Sequence, residues 1–206
     1  MELIIMRHGT TPGNERREYV GWLDHPLSPA GREQAREVGV CPHIKRVYVT
    51  PLHRTHETAA ICFPNAEWIQ VEGLQEMDFG EFSGRTADEM AEDAAYRAWV
   101  DGMCLDPCPG GESRDQATER ICSALTALLH RCESAGEQRV ILVAHGGTIM
   151  SAFSEFSADH PERDYYAWLP GNCGGYRTVV GFDAQGTPIF DQCIRFDELA
   201  FLADES

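Results

Sequence analysis

Two apolar runs in this chain end the same way. Leu3-Ile4-Ile5-Met6 stops at Arg7-His8-Gly9, and Val140-Ile141-Leu142-Val143-Ala144 stops at His145-Gly146-Gly147. A short apolar run closed by glycine suits a strand buried inside a parallel sheet and ending in a loop. In open α/β sheets ligands bind at the carboxyl ends of such strands. The first run therefore puts Arg7 and His8, and the second puts His145, where chemistry is usually placed. A cation beside a histidine, next to a residue that lets the backbone turn tightly, suits an anionic substrate.

Signals for helix and strand alternate along the chain, which predicts an α/β fold. Residues 9–27 read as a long loop. Ser28-Pro29 then opens a helix, with serine as N-cap and proline in the first turn, running to Val38 and closing at Gly39. Strands are expected at 46–50 and 67–71, with a helix over 51–62 between them. Residues 113–132 are the longest expected helix, because Ile121, Leu125, Leu128 and Leu129 recur at helical spacing. A helix over 148–156 and two late strands at 175–182 and 188–196, an antiparallel pair at the sheet edge, follow. The acidic tail after Ala200 is expected to fray. The irregular stretch 73–112, with short helices at 86–93 and 95–100, reads as an excursion that covers the active site. Residues 1–206 are otherwise read as one domain.

The chain has 206 residues, 43% of them hydrophobic, and a formal net charge of −16. That balance argues against a nucleic-acid partner and against adhesion to an anionic membrane. A phosphorylated substrate fits only if the cations gather in one pocket, where local potential outweighs distant, screened charge. No apolar run is long enough to span a bilayer, and the stretch 1–6 is too short for a signal peptide, so a cytoplasmic location is expected. The eight cysteines then read as free thiols. Cys104 and Cys108 lack the second pair that a zinc site needs, and His53, His56 and Glu57 do not have the zinc-peptidase spacing. No Walker or dinucleotide glycine pattern is present, so neither a metal nor a nucleotide cofactor is expected.

Further pieces follow in order. Asn14 lies six residues after His8, followed by Gly21-Trp22-Leu23-Asp24-His25-Pro26-Leu27-Ser28 and Thr50-Pro51-Leu52-His53-Arg54-Thr55. Then come Leu74-Gln75-Glu76-Met77-Asp78-Phe79-Gly80-Glu81-Phe82 and Pro109-Gly110-Gly111-Glu112-Ser113. From about residue 3 to about residue 180 the chain resembles the histidine phosphatase superfamily, also called phosphoglycerate mutase-like. Within it, segments 78–82, 109–113 and 171–176 look most like α-ribazole phosphatases. The resemblance implies a three-layer α/β/α sandwich with a mostly parallel central sheet. It implies a phosphomonoester hydrolase that forms a phosphohistidine on His8, needs no cofactor, acts on a small phosphorylated metabolite such as α-ribazole 5′-phosphate, and allows a homodimer. It places Arg7, Asn14, Arg54, His145 and Gly146 on the phosphate and makes Glu76 the proton donor, with Asp78 as its rival.

The residue chemistry agrees with these roles. Imidazole attacks phosphorus only through an unprotonated nitrogen. Arg7, Arg54 and a charged His145 would keep His8 neutral by repulsion, and a backbone carbonyl would fix its tautomer. Arg7 and Arg54 suit bidentate phosphate clamps. Glu76 would be protonated through burial or through Asp78 and Glu81 beside it, then return as a base for water. His53 and His56 read as surface residues or supports behind the site. Trp22, Phe82 and Tyr96 offer an apolar wall for a flat base, or core packing. Two alternatives stay open. A phosphoglycerate mutase would use the same residues, and Gly21-Trp22 and the segment 27–31 look mutase-like. However, Thr10-Thr11-Pro12-Gly13-Asn14 lacks the Glu-Ser usual in mutases. A non-catalytic phosphate-binding regulatory module would share the fold.

Overall fold

The computed structural model describes residues 1–158 and 164–203. Its described strands form one six-stranded sheet in the order β3-β2-β4-β1-β5-β6. Strands β1 (Glu2–Arg7), β2 (Arg46–Val49), β3 (Glu67–Gln70) and β4 (Arg139–Ala144) run parallel. Strand β5 (Gly175–Phe182) is antiparallel to β1, and β6 (Pro188–Phe196) is antiparallel to β5 at the edge.

Successive side chains of a strand point to opposite faces, and this divides the core in two. Leu3 and Ile5 join Leu142, Ile121, Leu125 and Phe153 in one buried cluster. Ile4 and Met6 join Val47, Val143, Ala35 and Ala59 in the other. The first face carries α5 (Arg114–Ser134) and α6 (Gly146–Phe156); the second carries α2 (Pro29–Glu37) and α3 (His53–Cys62). The result is the expected three-layer α/β/α arrangement.

Register decides what meets at the strand ends. Arg7 pairs with Ala144 across β1 and β4, so His8 and His145 leave the sheet at the same level. The His8 amide donates to the Ala144 carbonyl at 3.0 Å. Helix α6 begins directly after His145, whose extended backbone forms its N-cap, two residues earlier than the sequence predicts. Conversely, α3 begins at His53, since Pro51 and Leu52 form a bend.

Four further differences from expectation have local causes. The loop 9–27 contains a one-turn helix, α1 (Pro12–Glu15), closed by a capping box between Thr11 and Asn14. The stretch 86–93 is a series of turns, with Glu89 folded back onto the Thr86 amide and hydroxyl. The next helix, α4 (Ala94–Asp101), takes Asp93 as its N-cap. A 3-10 turn over Tyr165–Trp168 carries no clear sequence signal. After Ala200 the chain makes a helical turn, α7 (Ala200–Ala203), because Leu202 is buried against the second face; residues 204–206 lie outside the described residues. No two of the eight cysteines form a disulfide. Among the described residues no helix is long and apolar enough to cross a membrane.

The loop after His8 lies against the backbone of α2. A Cβ at Gly31 would come within 1.9 Å of the Thr10 carbonyl oxygen, and one at Gly9 within 2.7 Å of the Gly31 carbonyl oxygen. Helix propensity alone favours Gly31→Ala by about 1 kcal/mol. The contact predicts the opposite, a loss of about 1–3 kcal/mol through backbone displacement. Urea denaturation of Gly31→Ala decides between the two, and a gain in stability would show that this loop is not pinned to α2.

Candidate active site

Three buried side chains meet at the ends of β1 and β4. The Nδ1–H of His8 donates to the Gly9 carbonyl at 2.7 Å, which fixes the tautomer and leaves Nε2 unprotonated. Arg54 donates from Nε to His8 Nε2 at 3.2 Å and to His145 Nδ1 at 3.3 Å. Since His145 Nδ1 accepts, its Nε2–H donates to the Thr50 hydroxyl at 2.8 Å. The two imidazole rings lie 5.2 Å apart, centroid to centroid. Arg54 projects from the first turn of α3, and its terminal nitrogens bind the Leu23 carbonyl at 2.8 Å and the Gly21 carbonyl at 2.7 Å. The guanidinium is therefore fixed by the main chain, and the group turned to the imidazoles is Nε rather than a free bidentate fork.

Burial is the main cause of the electrostatics here. It lowers the pKa of His8 well below the usual imidazole value, and the charges of Arg54 and Arg7 lower it further. The same order of causes holds for His145, with burial first and Arg54 second. His145 is thus neutral in this structure, contrary to the expectation of a charged second histidine. Burial also lowers Arg54 to about 10, opposed by Glu76 and Asp24 and reinforced by Arg7, so the guanidinium stays charged at neutral pH.

Arg7 and Glu76 stand beside this trio. Arg7 donates from Nη1 to the Pro170 carbonyl at 3.0 Å, while its Nε is buried without a hydrogen-bond partner. A Cβ on Gly146 would lie 3.7 Å from that Nε. Glu76 accepts from its neighbour's amide at Met77 at 3.0 Å and from the Gly147 amide at 3.2 Å. A Cβ at 147 would come within 2.0 Å of the Glu76 carboxylate and would push that side chain from its place. Asp78, expected to crowd Glu76, caps the Gly80 amide instead, and Glu81 is exposed. Asn14 holds the Thr11 amide and hydroxyl through its Oδ1, and no hydrogen bond joins it to either histidine. His56 supports the site from behind by binding the Thr50 carbonyl at 2.8 Å, while His53 is exposed.

The profile of the histidine phosphatase superfamily, branch 1, matches residues 3–187. The chain belongs to that family. A 2,3-bisphosphoglycerate-dependent phosphoglycerate mutase of Parvibaculum lavamentivorans is 31% identical over 162 residues, covering 72% of this chain and 76% of the relative. A histidine-to-alanine variant of phosphoserine phosphatase from Entamoeba histolytica, in complex with phosphoserine, superposes with a TM-score of 0.70 at 28% identity, covering 93% of this chain and 95% of that one. The α-ribazole phosphatase of Shigella flexneri superposes with a TM-score of 0.76 at 19% identity, covering 96% and 98%, and shows the shared fold. Members of this family are phosphatases or mutases.

In this family member a cavity of about 240 Å³ is lined in part by Arg7, Glu76, Gly146 and Gly147, the chain neighbours and partners of the trio, while His8, Arg54 and His145 themselves lie behind its lining. Tyr19, Phe79 and Trp99 form another wall, their rings edge to face at 5.1–6.3 Å. Tyr165 and Tyr166 from the 3-10 turn add a third side, and Arg114 lies 5.4 Å over the Tyr165 ring. Of the two uses open to Trp22, Phe82 and Tyr96, Phe82 and Tyr96 take core packing, and the aromatic wall is made by other residues. Phe82 and Tyr96 are buried behind it, and Trp22 is half-exposed with its Nε1–H on the Glu76 carbonyl at 2.6 Å. Sequence reading missed Thr50 as the partner of His145 and Arg114 as a cavity residue. The position of Thr50 at a strand end, directly before proline, was the available signal for the first.

Neutral buried histidines have a consequence for stability. Below about pH 6.5 the unfolded imidazoles take up protons that the folded ones refuse, so stability falls as pH drops, by up to about 1.4 kcal/mol per pH unit for each histidine. Urea midpoints at pH 7.5 and 5.5 are expected to differ less in a His8→Asn, His145→Asn double variant than in the wild type. An equal difference would show that the two rings are not held neutral.

Proposed function

We propose that this chain hydrolyses phosphomonoesters by passing the phosphoryl group through Nε2 of His8 to water. The observation that carries this reading is the locked His8 tautomer, which turns an unprotonated nitrogen toward a buried guanidinium. In the first step Arg54 Nε–H leaves Nε2 for a phosphoryl oxygen, the freed Nε2 lone pair attacks phosphorus, the bond from phosphorus to the alcohol oxygen breaks, and the protonated Glu76 delivers its proton to that oxygen. In the second, the Glu76 carboxylate takes a proton from water, the water oxygen attacks phosphorus, and the N–P bond breaks. Arg54, the free Nε of Arg7 and the amides at the start of α6 face the charge that spreads over the phosphoryl oxygens. An arriving phosphate favours the protonated form of His145, whose Nε2–H keeps Thr50 as acceptor in either state. In this reading protein cations supply the charge that a metal ion supplies elsewhere. Asn14 has its amide nitrogen left to donate, and we assign it to the phosphate with Gly146.

A second observation favours hydrolysis over phosphoglycerate mutation. Much of the cavity beside Glu76 is apolar or aromatic, with Met77, Phe79, Trp99, Met150 and Leu169 among its lining. Such walls suit a flat apolar alcohol better than a glycerate carboxylate. The cavity is smaller than the roughly 300–1,000 Å³ of drug-sized sites, which suits a small metabolite. We therefore propose a phosphorylated small molecule with a planar group, and α-ribazole 5′-phosphate as the first to test. The stretch 73–112, which supplies Phe79 and Trp99, is proposed to cover the substrate.

Phosphate release in EDTA tests this reading, with α-ribazole 5′-phosphate, 3-phosphoglycerate and 4-nitrophenyl phosphate as substrates. His8→Ala is expected to lose on the order of 10³-fold or more, and labelled phosphohistidine is expected in the wild type only. Activity that requires 2,3-bisphosphoglycerate would overturn hydrolysis in favour of the mutase. Phosphate binding without turnover of any ester would overturn both in favour of a binding module.

A further inference from the structure

Glu76 lies in a segment without helix or strand, between β3 and the 3-10 turn at Gly80–Phe82. A proton donor in such a segment must be held in place by something else. One side chain does most of this. Arg120 on α5 donates from Nη1 to the Gly73 carbonyl at 2.9 Å and the Gln75 carbonyl at 3.2 Å. From Nη2 it donates to the Glu76 carbonyl at 3.1 Å and to Glu112 at 2.7 Å, and from Nε to Glu112 at 2.7 Å. All five guanidinium donors are thereby used. Glu112, the residue before the N-cap of α5, also accepts from the Asp78 amide at 2.9 Å. The main chain is thus tied at 73, 75, 76 and 78 by one ion pair that is about four-fifths buried.

Trp22 completes the arrangement. Its ring lies 5.6 Å from the Arg120 guanidinium, and its Nε1–H shares the Glu76 carbonyl. The residues on either side of it, Gly21 and Leu23, hold the terminal nitrogens of Arg54. One tripeptide therefore binds both the cation next to the histidines and the backbone of the acid.

We infer that Arg120, Glu112 and Trp22 are positioning residues, which set Glu76 at the alcohol oxygen and fix its place relative to Arg54. This rests on the reading of Glu76 as the proton donor. None of the three touches the reacting atoms. Their effect passes through the Glu76 main chain, and lysine at 120 cannot reproduce it because an ammonium has three donors and no fork. A misplaced acid harms esters whose alcohol leaves poorly and spares those whose alcohol leaves without a proton.

The test is the ratio of kcat/KM for 4-nitrophenyl phosphate to that for glycerol 2-phosphate, in the wild type, Trp22→Phe, Arg120→Lys, Glu112→Gln and Glu76→Gln. Trp22→Phe keeps a ring over Arg120 at a half-exposed position, so it is the variant expected to fold without difficulty. The ratio is expected to rise on the order of tenfold in Trp22→Phe and Arg120→Lys, and on the order of 10²-fold in Glu76→Gln. A general loss of structure lowers both substrates by one factor and leaves the ratio where it was. A raised ratio in Glu76→Gln with an unchanged ratio in Trp22→Phe and Arg120→Lys would overturn the positioning role alone. An unchanged ratio in Glu76→Gln would overturn the acid itself, and the inference with it.

Discussion

A buried cation next to two neutral imidazoles is the condition the rest of this structure serves. Removing a guanidinium from water is costly, and among the described residues Arg54 has no carboxylate within ion-pair distance to offset it. Its compensation is made of main-chain dipoles, the carbonyls of Gly21 and Leu23, and of the two ring nitrogens it binds. Those nitrogens can accept only while they are unprotonated. The same burial that strains Arg54 therefore keeps His8 and His145 neutral, and each histidine in turn gives Arg54 a partner. The cluster is self-consistent only when all three are present at this spacing, and the spacing comes from the pairing of Arg7 with Ala144 in the sheet.

That dependence explains which parts of the molecule are visible in the sequence. Both strand ends are legible because an apolar run closed by His-Gly leaves few other readings. The start of α2 is legible because serine before proline is a helix-opening pair, and the Ser28 hydroxyl accepts from the Gly31 amide. The late antiparallel pair at the sheet edge lies where the sequence predicts it. What fails depends on contacts that composition does not show, some of them local and others between distant segments. The stretch 86–93 has helical composition, yet Glu89 binds Thr86 and the chain makes turns. Trp22, Phe82 and Tyr96 are aromatic residues in a promising region, but only the packed structure shows that Tyr19, Phe79 and Trp99 face the cavity instead. The sequence predicts a neutral His8 from repulsion by cations, whereas burial leads, because a sequence lists charges and does not show depth. Arg120 was invisible for the same reason. Nothing in the spacing of eight residues between Glu112 and Arg120 reveals that both turn toward the chain around Glu76.

The site also divides by stiffness of construction. At the end proposed for the phosphate, His8 and His145 sit on strand ends, Arg54 is anchored by two carbonyls, and Gly146 opens a helix. These positions come from the sheet and its first connections, and they leave little freedom. At the alcohol end, the walls come from the irregular stretch 73–112 and from the 3-10 turn at Tyr165–Trp168. Loops tolerate substitution and insertion where sheet ends do not. A family built this way can keep one reaction and change its alcohol, which fits relatives that include both a mutase and phosphatases.

Glu76 belongs to both halves, and this is where the design is most constrained. Its charge acts on Arg54 and Arg7, and its carboxylate is held by the Gly147 amide at the start of α6. Its backbone, however, lies in the variable half. An acid carried on an unsupported loop would drift whenever the loop changed to suit a new alcohol. Arg120 and Glu112 remove that problem by tying the loop to α5, a 21-residue helix packed on the sheet. Trp22 ties it to the segment that anchors Arg54. In the proposed reaction the acid is thereby held relative to the phosphate by ties separate from the cavity wall that Phe79 and Trp99 supply.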